Sequence, residues 1–114
     1  MAFSGFPAAT RYIPVPAPLF GPILQEVDDL PELKCTLRAI WLLHHRKGYP
    51  RVLPHSVLAS DPVLVSGPEN SGLAEDIKPA MEAAVRRGTF LATQVGPPGQ
   101  EETAYLLNTE SNRK

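Results

Sequence analysis

An α+β fold, mainly helical and closed by a C-terminal β-hairpin, is what this 114-residue sequence predicts, on three observations. Apolar residues recur at helical spacing through 19–27, 33–44 and 73–85. Two runs rich in β-branched and aromatic residues, Thr89–Val95 and Thr103–Asn108, flank the turn segment Gly96-Pro97-Pro98-Gly99-Gln100-Glu101. The 13 prolines fall mostly between these segments, where they act as punctuation. With 43% hydrophobic residues the chain can bury one modest core, so it reads as one domain, 18–109, between an arm, 1–17, and a short tail, 110–114.

The arm contains "FPAATRYIPVPAPLFGP", with prolines at 7, 14, 16, 18 and 22 that fix φ and remove donors, so it is extended. It carries Tyr12, Ile13 and Val15, apolar side chains that a solvated linker rarely needs, and is expected to lie against its own domain or another subunit. Leu19, Phe20, Ile23, Leu24 and Val27 form an amphipathic stripe, a first helix over about 18–28. Asp29-Leu30-Pro31-Glu32 is a D-x-x-E capping box with proline in the opening turn, and Asp28 and Asp29 are explained by capping. From it runs a central core helix with Leu33, Leu37, Ile40, Trp41, Leu43 and His44 on its core stripe, stopped by Gly48. Trp41 is placed in the core.

Next, "YPRVLP" suits a short edge strand. A short helix follows near 55–60, extended to Leu64 if Pro62 restarts it, and the turn formers at 66–71 make a loop. The stripe Leu73, Ile77, Ala80, Met81, Ala84 and Val85 is a further helix, continuous from about Asp76 because Pro79 is tolerable only in a first turn. Arg86, Arg87 and Gly88 end it. The hairpin completes the order helix, helix, strand, helix, helix, hairpin. That order is a winged helix-turn-helix with an N-terminal proline-rich arm and extra helix, the hairpin being the wing and the helix before it the recognition helix.

A formal net charge of -1 supplies no global positive field to draw the chain onto phosphates. The recognition-helix face would present Glu75, Asp76, Lys78, Glu82, Ala83 and Arg86, as many acids as bases at the end that would enter a groove, which argues against reading bases. The wing tip carries Gln100, Glu101 and Glu102 where a phosphate-tracking wing needs Lys or Arg. The wing is therefore expected to be structural, covering the core with Phe90, Leu91, Tyr105 and Leu107. Candidate nucleic-acid contacts are Arg46, Lys47 and Arg51, interleaved with His44, His45 and Tyr49, together with Arg86 and Arg87. Each of these basic groups is also explained by a helix C-terminus and its dipole, the favoured explanation.

His44, His45, His55 and Cys35 lack metal-ligand spacing, and His55, Ser56 and Asp61 form no recognisable nucleophile motif. No enzyme activity and no cofactor are expected. A lone cysteine points to a reducing, cytoplasmic setting. The N terminus, Met-Ala-Phe-Ser-Gly-Phe, has no secretory pattern, and no apolar run approaches the roughly 18 residues of a membrane span.

Through "LFGPILQEVDDLPELKCTLRAIWLLHHRKGYPR", with "VRRGTFL" and "AYLLNT", residues 12–109 resemble the winged-helix N-terminal domains of bacterial DnaD-like primosomal proteins, most visibly in D-L-x-E-L-K and W-L-L. The resemblance implies oligomerisation and protein contacts in replication initiation, with DNA binding left to a separate C-terminal domain. No room for that domain follows "NTESNRK", so the chain is either a fragment or a stand-alone relative. A homo-oligomer, dimer or tetramer, is expected to form through Tyr12, Ile13, Val15, Leu19, Phe20 and Ile23, with replication proteins as further partners and DNA binding weak. The alternative is a transcriptional or replication regulator that contacts phosphates through its basic residues.

Overall fold

The computed structural model describes residues 3–67 and 72–113. Within them the chain forms five α-helices and a three-stranded antiparallel sheet. Of the loop expected at 66–71, only Ser66 and Gly67 fall among the described residues.

The helix expected at 18–28 is divided in two, a 3₁₀ turn, Ala17–Phe20, and α1, Pro22–Glu26. Gly21 between them has φ −125° and ψ −98°, outside helical geometry. Pro22 explains the break: it has no N–H to continue a ladder and disfavours the helical conformation in the residue before it. Leu19 is the one residue of these two turns that is fully buried.

The long helix α2, Leu30–His44, starts at its expected cap, the Asp29 carboxylate accepting the Glu32 N–H at 3.2 Å. Only this half of the capping box forms. The Glu32 carboxylate turns to Arg87 instead, 2.7 Å from Nε and 2.9 Å from the second guanidinium nitrogen, because a charged, bidentate donor outcompetes a single backbone N–H. The buried face of α2 is Glu32, Cys35, Thr36, Ala39, Ile40 and Leu43. Leu37, Trp41 and His44, placed on the core stripe from the sequence, are exposed. The true core face contains small and polar residues, so hydrophobicity alone pointed to the wrong side.

Strand β1, Leu53–Pro54, leads directly into α3, His55–Ala59. Pro62 both breaks and restarts the chain: α4, Pro62–Val65, begins with Asp61 accepting the Leu64 N–H at 3.3 Å. Helix α5, Ile77–Arg87, has Pro79 in its first turn, as expected, and stops at Gly88, whose φ of +95° suits glycine.

The hairpin is β2, Phe90–Val95, and β3, Glu102–Leu107, paired from Phe90↔Leu107 to Val95↔Glu102. Strand β1 pairs with β3 through Leu53↔Tyr105, so the order is β1-β3-β2 and the last strand is central. The core lies between the helices and this sheet: Cys35, Ala39 and Leu43 of α2, Ile77, Met81 and Ala84 of α5, and Leu53, Phe90 and Tyr105 of the strands. No helix among the described residues is long and apolar enough to cross a membrane.

Candidate interaction surfaces

The basic residues divide into two groups at opposite ends of α2. Arg51 donates to the His44 carbonyl at 3.1 Å, at the C-terminal end of the helix, and so acts as the expected cap. Arg87 is held on Glu32, at the N-terminal end. Twelve residues of rise separate these anchor points, about 18 Å, so Arg46, Lys47 and Arg51 do not merge with Arg86 and Arg87 into one patch. The Glu32 carboxylate holds the Arg87 guanidinium above its ordinary pKa, chiefly through their hydrogen bonds. Arg46, Lys47 and Arg86 make no ion pair among the described residues.

On the hairpin, Glu102 caps α3. Its carboxylate accepts the Ser56 N–H at 2.8 Å and the Ser56 hydroxyl at 3.1 Å, and these bonds hold it below the usual carboxylate range. The acid near the hairpin turn thus has a structural task, and Phe90, Tyr105 and Leu107 face the core as expected, with Leu91 half-buried. On α5 and the turn before it, Glu75, Asp76, Lys78, Glu82 and Arg86 are exposed together.

No acid–base or nucleophile arrangement joins His55, Ser56 and Asp61. His55 Nδ1 bonds the Tyr105 hydroxyl at 2.7 Å, Ser56 bonds Glu102, and Asp61 takes Arg38 bidentately at 2.8 and 3.1 Å. Among the described residues no group of three or more His, Cys, Asp and Glu could hold a metal ion. Cys35 is buried, and burial, reinforced by Asp76 and Asp29, pushes its thiol up to about 11.

The six residues expected to associate do not share one surface. Leu19 belongs to the chain's own core, with Val15 and Ile23 packed against it. Ile13 is half-buried, and only Tyr12 and Phe20 stand fully in solvent. Part of the arm therefore covers its own domain, one of the two possibilities the sequence allowed.

A different apolar surface was missed. Leu30, Leu37 and Trp41 are 60%, 45% and 37% exposed, and their spacing places them on the side of α2 opposite Cys35, Ala39 and Leu43. Beside them Val63 of α4 is 59% exposed, and Leu37, Trp41 and Val63 line a shallow slot of about 370 Å³ with Lys34 and Arg38 at its edge. Trp41 is held there by Arg38, 4.1 Å over its ring, and by the His45 ring at 4.1 Å. The i, i+7, i+11 spacing of Leu30, Leu37 and Trp41 was the available signal, hidden because both apolar stripes were read as one.

Comparison with protein families, characterised proteins and solved structures gives no significant match.

Proposed function

We propose that this chain is a non-enzymatic winged-helix module for protein association, working in DNA replication initiation or related DNA processing. The observation that carries the reading is the double-faced α2. One side is buried in the chain's own core, while the other presents Leu30, Leu37 and Trp41, the last two lining a slot with Val63. A helix apolar on opposite sides is satisfied only when both are covered. The order of helices and strands supports the winged-helix reading, and the resemblance to DnaD-like domains supports the replication setting. Against direct reading of DNA stand the mixed charge of the α5 surface and the engagement of Arg87 and Glu102 within the fold.

The partner is taken first to be a second copy. Light scattering at high micromolar concentration is expected to give a dimer or tetramer, unchanged by short single- or double-stranded DNA at low salt. The double substitution Leu37→Ser with Val63→Ser is expected to shift the mass to a monomer with the circular dichroism spectrum intact, since both side chains are exposed in the isolated chain. A monomeric native chain sinks the self-association reading. A monomer that forms a salt-sensitive complex with DNA instead favours the basic residues Arg46, Lys47, Arg51, Arg86 and Arg87 as the contacts.

A further inference from the structure

On another side of the molecule, a cleft of about 680 Å³ opens between the arm, the C-terminal end of α2, the segment after it and the residues following β3. This lies within the range of about 300–1,000 Å³ typical of small-ligand pockets. Its apolar lining comes from Val15 between Pro14 and Pro16, from Ile40 and Leu43 of α2, and from Leu107 of β3. None of these residues lines the slot at Leu37 and Trp41.

The polar lining is rich in donors. Arg51 uses one N–H on the His44 carbonyl, and its other four have no partner among the described residues. Tyr49 and Ser111 share a hydrogen bond of 2.6 Å between their hydroxyls, which consumes one proton and leaves the other to be donated. The Thr109 hydroxyl oxygen accepts the Asn112 N–H at 3.1 Å, which likewise leaves its proton available. His44 also lines the cleft, and no Asp or Glu among the described residues does. A site with a guanidinium, spare hydroxyl protons and apolar walls is complementary to an anionic acceptor on an apolar body.

We propose that this cleft binds a small monocarboxylic acid. Its carboxylate is received by Arg51 with the Thr109 hydroxyl and the free hydroxyl proton of the Tyr49–Ser111 pair, and its apolar body packs on Val15, Leu43 and Leu107. The proposal is independent of the association reading, because it concerns a separate cavity.

Octanoate, 1-octanol and octylamine share one apolar body and differ in head-group charge, so they test it directly on the full chain. Backbone amide shifts in NMR titrations should move at Gly48, Leu107, Thr109 and Ser111. Octanoate should bind about tenfold tighter than 1-octanol, the scale of one hydrogen bond to a charged group, and octylamine weakest. Arg51→Gln should remove the preference for octanoate over 1-octanol while leaving 1-octanol binding unchanged. The pair Tyr49→Phe with Ser111→Ala, both at exposed positions, should weaken octanoate several-fold and serves if Arg51→Gln disturbs the fold. Equal affinity for the acid and the alcohol overturns the proposal. So does an absence of shifts at millimolar octanoate, or shifts confined to Leu37, Trp41 and Val63.

Discussion

At the scale of single residues, charges inside this fold are tied down by partners far along the chain. Glu32 is almost wholly buried and depends on Arg87, 55 residues away. Replacing Arg87 with Met leaves a buried carboxylate without its counter-ion and should cost about 2 kcal/mol in urea unfolding, less than a fully buried pair because the arginine remains partly solvated. A variant as stable as the native chain would show that the pair contributes nothing. The buried Cys35 thiol and Tyr105 phenol make stability fall in alkali. Burial raises both pKa values in the folded state, from 9.0 to about 11 for Cys35 and from 10.0 to about 12 for Tyr105. Their neutral forms are therefore favoured by folding. The stabilisation is complete below the lower values and is lost as pH rises through the higher ones. Unfolding midpoints measured from pH 8 upward should decline most steeply between about pH 10 and about 11, where both groups are ionised in the unfolded chain and neutral in the folded one; a flat profile would contradict the assignment. Arg87 as a partner of Glu32 was illegible in the sequence, where it is one of two adjacent arginines at a helix end.

Elements were legible where their signals are local. Asp29 and Pro31 mark the start of α2, Pro79 fixes where α5 can begin, and the Gly-Pro-Pro-Gly run sets the hairpin. Gly88 is a similar local signal with a measurable consequence. Its φ of +95° disfavours any side chain, although nothing crowds a Cβ there closer than 3.9 Å, so Gly88→Ala should lower stability by about 1 kcal/mol through backbone strain alone. Thermal unfolding would reveal it, and an unchanged Tm would mean the helix end relaxes. Orientation was less legible than extent. The face of α2 that packs inward is decided by Arg87, Ile77 and the sheet, none of which is adjacent in sequence, and it accepts Thr36 and Glu32 ahead of Leu37 and Trp41. Likewise the cleft beside Arg51 gathers residues from four separate stretches, so no single motif announces it.

Taken whole, the described molecule is more extended than its length requires. Its Cα radius of gyration is 14.9 Å against about 13 Å for a compact chain of this size, and its longest dimension is 47 Å. Phe3, Phe6 and Tyr12 are all highly exposed, which locates part of that excess in the arm, whereas Val15 and Leu19 anchor its other end in the core. A chain beginning at Tyr12 should therefore keep its Tm while its radius of gyration by X-ray scattering falls; a lower Tm would mean that the first residues contribute packing. The strand order has a further outcome. Because β3 is both the last strand and the central one, β1 has no neighbour to pair with until residues 102–107 are present, and His55 meets Tyr105 across 50 residues. On a nascent chain leaving the ribosome, neither the β1–β3 nor the β2–β3 pairing can therefore form until residues 102–107 have emerged.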